Sequence, residues 1–368
     1  MNSEIKTAII LVSVIVVGIG VMSVVLSSFD EETSISNVLT NENSISKIDK
    51  SGFKKAPDLV GIAHYLNTTP ENLEIQMKDK VILYDIWTYS CINCVRTLPY
   101  ITAWNDKYSD QGLLIVGIHS PEFEFEKKPD NVQMAIDKYG ISYPVLLDND
   151  METWKAFDNR YWPRKYIADH EGYIRYDHIG EGGYQETEKI IQQLLKERSA
   201  NLGIKFASAS SLVDIEEFEH TSFRTPELYF GYKFAQNRNQ LGNNEGFQPG
   251  KIVTYLDQNN IELHKFYLSG EWKNHKDSME LISETGTIKL LYNAKEVNIV
   301  TDKMAELEIF LDDELVPAKY LGKDSTENGI IVSEAGLYNI INSENSASHE
   351  MEIKISGKGF QMFTFTFG

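Results

Sequence analysis

The segment Val81-Ile82-Leu83-Tyr84-Asp85-Ile86-Trp87-Thr88-Tyr89-Ser90-Cys91-Ile92-Asn93-Cys94-Val95-Arg96-Thr97-Leu98 decides how the chain reads. Val81 to Trp87 is an almost unbroken apolar run, the pattern of a strand buried on both faces. Thr88 to Ser90 reads as a turn. Beyond it, Leu98, Ile101, Trp104 and Tyr108 recur at helical spacing and mark a helix lying on the sheet, stopped by Gly112. The chain has two cysteines, and both stand where the strand hands over to the helix. Free N–H groups and the helix dipole at that place favour a thiolate at Cys91. Cys94, one turn further on, is placed to resolve a mixed disulfide.

Outward from this segment the alternation of elements continues. Leu113–Ile118 reads as a second buried strand, Asn131–Tyr139 as a helix ended by Gly140, and Tyr143–Leu147 as a short strand. Glu152–Phe157 reads as a short helix, and Lys165–Ala168 and Tyr173–Ile179 as two strands joined at Asp169-His170-Glu171-Gly172. Gln185–Glu197 closes the unit as a helix. This order predicts an α/β domain over residues 57–198, with a mixed sheet and helices on both faces.

Length and composition bound the rest. At 368 residues the chain is long enough for two or three domains. With 35 Lys+Arg against 54 Asp+Glu its net charge is −19, and no basic face is available to meet nucleic-acid phosphates. Two cysteines give no disulfide framework. Ala8–Leu26 is a run of 19 uncharged residues, preceded by Lys6 and followed by Asp30, Glu31 and Glu32. As a helix it would cover about 28 Å, close to one hydrocarbon core. Its length favours a retained anchor over a cleaved signal peptide, whose apolar region runs to about 15 residues; the expectation is one transmembrane anchor at 8–26, residues 1–7 in the cytoplasm, and everything after it outside the cell membrane. Residues 27–56, polar and without period, read as a flexible tether.

The pair Cys91–Cys94 has competing readings. A closed zinc site needs four ligands, and no second Cys pair exists. A purely structural disulfide would close too short a loop to stabilise much. A c-type haem site needs His after the second cysteine, where this chain has Val95. Copper binding by the two thiols would need a poised histidine, for which His119 at a strand end is the candidate.

The stretch Tyr84 to Tyr100, with Trp87-Thr88-Tyr89-Ser90-Cys91-Ile92-Asn93-Cys94 at its centre, resembles the thioredoxin-like domain of the DipZ group, relatives of the TlpA-like membrane-anchored thioredoxins. Gly117-Ile118-His119-Ser120-Pro121-Glu122-Phe123 and Tyr161-Trp162-Pro163 continue the likeness, which spans Pro57 to Leu195. The resemblance implies a thiol–disulfide oxidoreductase whose redox group is the Cys91–Cys94 disulfide, with no other cofactor. It implies that Asp85 is the buried acid that exchanges a proton with Cys94. It implies that Pro163 is a cis-proline presenting the Trp162 backbone to a client, and that Pro99 kinks the active-site helix. Trp87, Tyr89, Tyr161 and Trp162 are expected to line an apolar patch around the thiols that a client would meet, although Trp87 taken alone reads as core. Glu122 stands where TlpA-like proteins often carry an acid near the thiols; Glu122, Glu124 and Glu126 otherwise read as a solvated acidic edge. Peroxide reduction is the alternative chemistry, although the proline that peroxidases of the related fold carry before the reactive cysteine is missing. DipZ proteins carry a multi-span domain that imports electrons. A chain with one span would need a separate membrane donor, such as a CcdA-like protein, to act as a reductant of protein disulfide clients.

Past a linker at 199–218, the pattern changes to alternation. Ile288, Leu290, Tyr292 and Ala294 alternate, as do Leu307, Ile309 and Leu311, then Met351, Ile353 and Ile355, then Phe363, Phe365 and Phe367. Recurrent glycines separate the runs, which predicts an all-β antiparallel sandwich over 219–368. Thr225 to Gly231 and Phe363 to Gly368 also resemble DipZ proteins, whose last domain looks like a carbohydrate-binding module. That likeness implies a binding role for a glycan or protein ligand, with Trp272, Tyr267 and Phe247 as aromatics that could stack on a sugar.

Overall fold

In a computed structural model of the chain, residues 49–205, 211–218, 224–235 and 237–368 are described. The expected anchor at 8–26 and most of the tether lie outside these residues. Among the described residues no helix is long and apolar enough to cross a membrane.

The α/β domain is built on a six-stranded sheet. Its strands are β1 (His64–Leu66), β2 (Val81–Trp87), β3 (Leu113–His119), β4 (Val145–Leu147), β5 (Arg164–Ala168) and β6 (Ile174–Ile179). They lie in the order β1-β4-β3-β2-β5-β6. β2 runs parallel to β3, and β3 to β4, while the remaining pairs are antiparallel. All seven residues of β2 are buried, as its central place and apolar sequence require. Helices α1 (Pro70–Met77), α2 (Ile92–Tyr108), α3 (Pro129–Tyr139), α4 (Glu152–Ala156) and α5 (Tyr184–Leu202) divide between the two faces. Val81, Leu83 and Trp87 share one core with α2, α3 and α5. Ile82, Tyr84 and Ile86 share the other with Leu73 of α1 and Trp154 of α4. By the period of two, Asp85 points to the first face, under the helix that carries both cysteines. The chain is fixed to this domain earlier than a tether to residue 56 would allow. Lys55 bridges Tyr173, and the Ala56 N–H donates to the Gly172 carbonyl.

The second domain contains β7 (Leu228–Tyr229), β8 (Ile252–Tyr255), β9 (Phe266–Asn274), β10 (Met279–Leu281), β11 (Thr285–Asp302), β12 (Ala305–Leu311), β13 (Glu314–Leu315), β14 (Ile330–Val332), β15 (Gly336–Ser356) and β16 (Gln361–Phe367), with one short helix, α6 (Tyr232–Ala235). Its strand pairs are antiparallel. β11 pairs with β9 through its first half and with β16 through its second, and β10 joins β9 to β16. Register shifts near Ala294–Asn298 break the β11–β15 ladder between these two halves. The ten strands are hydrogen-bonded into one sheet, in the order β13-β12-β15-β11-β16-β10-β9-β8 with β14 on β12 and β7 on β16, and Trp272, Ile288, Leu290, Met351, Ile353 and Phe365 share its core. Trp272 is fully buried and Tyr267 nearly so, so neither offers a ring to a sugar; their faces are spent on the core.

Ser51–Gly368 forms one compact unit. The burial of β11 explains how the two domains meet. Its first half alternates, one side buried and one open, but Val297 to Thr301 is buried on both sides. The second side packs on the α/β domain, where Val300, Leu337 and Phe363 join Phe123 and Phe125 in a single apolar core. The Phe363 ring lies 5.1 Å from Phe123 and 4.7 Å from Phe125. The segment between β3 and α3 is thus held from the β-rich domain.

Candidate functional site

Cys91 is the N-cap of α2. Its sulfur accepts the Cys94 N–H at 3.3 Å, one of the donors a helix start leaves without a carbonyl. Both thiols are free. Cys91 is half-buried, whereas Cys94 is fully buried one turn further on. Burial, then the neighbouring Cys91 and Asp85, push the Cys94 thiol well above its ordinary range.

Beneath Cys94 lies a buried acid–base pair. Asp85 in β2 stands opposite Lys165 in β5 in the strand register. Burial lifts the Asp85 carboxyl to about 6, with the Lys165 charge opposing the rise. Oδ1 of Asp85 is buried with no hydrogen-bond partner, which is why desolvation dominates. Lys165 is itself fully buried, its Nζ donating to the Gly180 carbonyl at 3.0 Å. Burial brings it down to about 8, with the charges of Asp85 and Cys94 holding it up. Lys165 was not singled out in the sequence; the visible signal is a lysine inside an apolar strand two residues after Pro163.

The turn before Cys91 is held by another residue that sequence reading misplaced. Glu126 is not part of a solvated acidic edge but fully buried. Its carboxylate accepts from the Thr88 and Ser90 hydroxyls and from the Glu122 and Phe123 N–H groups. Four donors compensate a buried charge that would otherwise be costly, although burial still moves the carboxyl upward. Through Glu126 the Thr88–Ser90 turn is tied to the segment that Phe363 covers. Glu124 alone of the three acids is an exposed surface residue.

The expected apolar patch is mostly absent. Trp87 is a core residue, 1% exposed, because β2 is central and covered on both faces; its ring meets His119 edge-on at 5.3 Å. It therefore takes no part in a client-facing patch, and of its two sequence readings the core one fits. Tyr89 is likewise buried, stacked on His119 at 5.6 Å. Tyr161 is exposed, and Trp162, half-buried, lies tilted against Trp154 at 4.2 Å and donates its indole N–H to the Ser120 carbonyl at 3.0 Å. The Trp162–Pro163 peptide bond is cis. His119 is fully buried, its Nε2 3.3 Å from the Thr88 hydroxyl, and burial lowers it to about 3. Among the described residues no group of three or more His, Cys, Asp or Glu side chains is arranged to hold a metal.

A cavity of about 240 Å³ opens beside Cys91, lined also by Ile92, Glu122 and Trp162. Its other wall comes from the β-rich domain, with Thr225, Glu227, Tyr229 and Phe367 among the residues. No sequence signal placed Glu227 or Tyr229 near the thiols. Arg96, two residues after Cys94, reaches the same domain: its Nη2 lies 2.6 Å from Glu296 Oε2.

Both domains resemble known proteins in sequence. Residues 52–195 match the family described as Redoxin, and residues 225–368 the one described as thioredoxin like C-terminal domain. The chain is 35% identical to Protein DipZ of Mycobacterium tuberculosis over 316 residues, covering 85% of this chain and 43% of that protein. It is 32% identical over 143 residues to the thiol-disulfide oxidoreductase YkuV of Bacillus subtilis, covering 38% of this chain and 94% of that protein. The chain thus spans under half the length of the DipZ proteins it matches. Through its α/β domain it belongs to the thioredoxin-like thiol–disulfide oxidoreductase family, and through both domains together it is a relative of DipZ.

Proposed function

We propose that the chain exchanges electrons with protein clients through Cys91 and Cys94. The Cys91 thiolate attacks a client disulfide and forms a mixed disulfide. Cys94 then gives its proton to Asp85 and attacks the Cys91 sulfur; the client sulfur leaves as a thiolate that takes a proton from water, so the client departs reduced and the Cys91–Cys94 disulfide remains. Lys165 positions and tunes Asp85. The Trp162 backbone is the edge on which an extended client segment would lie. The observation that carries this reading is one helix start with a half-buried, amide-bonded sulfur open to a cavity and a buried sulfur over an elevated carboxyl.

The same reading places the two domains outside the cell membrane, tethered by the apolar run at 8–26, where a disulfide persists between turnovers. A membrane donor of the CcdA type would recharge the dithiol if the protein acts as a reductant. Trapping tests the mechanism. Cys94→Ser should accumulate mixed disulfides on non-reducing gels and Cys91→Ser should not. If neither variant traps a client and both keep exchange activity, the assignment fails.

A further inference from the structure

The β-rich domain supplies polar chemistry as well as a wall. The Tyr229 hydroxyl lies 2.9 Å from Glu122 Oε1 and 2.7 Å from Glu227 Oε2. A phenol has one proton and donates one strong hydrogen bond. It satisfies one carboxylate; the second contact is a hydrogen bond only when that carboxyl carries a proton and donates it to the phenolic oxygen. Two carboxylates brought this close to one oxygen therefore retain one proton between them. All three residues line the cavity onto which Cys91 opens.

We propose that Glu122, Tyr229 and Glu227 hold a shared proton beside Cys91 and hand it to the thiolate expelled when Cys91 opens a client disulfide. This rests on the exchange function proposed above and adds a second domain to the reaction. The step balances. The Cys91 thiolate provides the electron pair of the new S–S bond. The pair of the broken client bond leaves with the outer sulfur, which takes the shared proton and departs as a thiol. Water at the open cleft then restores the proton.

The surroundings favour retention. Burial, then the charges of Glu227 and Glu126, push Glu122 well above the usual carboxylate range, opposed by Tyr229 and Arg238. Burial of its carboxyl raises Glu227 as well, opposed by Tyr229 and Arg238, but the residue as a whole is exposed, so the stronger push falls on half-buried Glu122. The Arg238 guanidinium sits 4.8 Å over the Tyr229 ring, and Arg224 lines the same cavity. Between the two carboxyls stands Tyr229, whose ring stacks on Phe234 at 5.3 Å, so the hydroxyl is held by packing as well as by its acceptors.

The test compares two disulfides on the reduced full-length chain. One is an aromatic disulfide bearing nitro and carboxylate groups, whose leaving thiolate is stable without a proton. The other is bis(2-hydroxyethyl) disulfide, whose leaving thiolate is basic and profits from an acid. The quantity read is the ratio of the alkyl to the aromatic rate, in which the ionisation of Cys91 cancels. In the unmodified chain this ratio should fall as pH rises and the shared proton is lost. In Tyr229→Phe and in Glu227→Gln it should drop about tenfold at pH 6.5, less than the roughly 10²–10⁴ of a fully positioned acid because water reaches the cleft. A ratio that ignores pH and is unaltered in both variants overturns the inference and leaves the exchange function standing. An unmodified chain that reacts with neither disulfide overturns the exchange function, and this inference with it. The pH profile needs no variant, so a misfolded substitution does not spare the proposal.

Discussion

The two sulfurs of the dithiol lie one helical turn apart in opposite kinds of surroundings. Cys94 is sealed in, with its buried partners Asp85 and Lys165 drawn from neighbouring strands of one sheet. Cys91 faces a cavity whose far wall, Thr225, Glu227 and Tyr229, belongs to another domain. The sealed side depends only on the α/β domain and should survive changes elsewhere. The open side exists only while the two domains stay packed together. A thiol that meets clients has to be accessible, and here its access is shaped from outside its own domain.

The largest effect is expected where the domains are joined. Phe363 is 3% exposed and packs against both Phe123 and Phe125, which stack on each other. Phe363→Ala should cost about 3–4 kcal/mol, the range for deleting a buried aromatic ring, read from the urea unfolding of the full chain. Below the unfolding transition the same variant should make Cys91 more reactive toward a bulky maleimide and leave Cys94 protected. Equal gains at both thiols would mean that the open and sealed sides are not separately built.

Next in size is the sealed side. Asp85 has its carboxyl raised from 3.8 to about 6. The folded chain therefore binds more protons than the unfolded chain between those values, and stability from this group is lost as pH climbs through about 6. Asp85→Asn removes the cost of the buried charge. At pH 7 it should be more stable than the unmodified chain by about 2 kcal/mol, with the gain gone below pH ~4. Part of the possible gain is forfeited, because Lys165 loses the charge that holds its proton. Resolution of the mixed disulfide should move the other way. In the unmodified chain it should accelerate as pH passes about 6 and Asp85 becomes able to accept the Cys94 proton; in the variant it should be about a hundredfold slower at pH 7 and lack that inflection. Single-turnover release of a trapped client measures it. A variant that keeps the inflection would remove Asp85 from the reaction.

This contrast also governs what the sequence could disclose. The sealed side was legible because its signals are local: an apolar run, an acid six residues before Cys91, and a strand giving way to a helix. Lys165 escaped because its meaning lies in the pairing of β2 with β5, a register that hydrophobic alternation does not determine. Glu126 read as surface because an acid between Glu124 and Lys127 has no local sign of the Thr88 and Ser90 hydroxyls that bury it. Trp87 reads both as core and as part of a client-facing patch, and its place on a central strand covered on both faces decides for the core. Glu227 and Tyr229 lie more than a hundred positions from Cys91, and only the packing of two domains brings them to it.

The smallest effect concerns the ion pair that crosses the same boundary on the helix itself. Arg96 Nη2 meets Glu296 Oε2 at 2.6 Å, with the side chains 10% and 16% exposed. Arg96 also faces Glu181 at 3.7 Å and lies over the Phe218 ring at 3.4 Å. Glu296→Gln leaves the guanidinium these other partners, so the loss should stay near 1 kcal/mol. Because the pair is mostly withdrawn from water, added salt should weaken it less than a surface pair. A double-mutant cycle of Arg96→Met with Glu296→Gln isolates the coupling from the lost stacking on Phe218. Should the coupling vanish while Phe363→Ala still loosens access to Cys91, the open side is held by apolar packing alone. A coupling above 2 kcal/mol would instead make this charge pair a principal fastening between the helix that carries the thiols and the domain that roofs them.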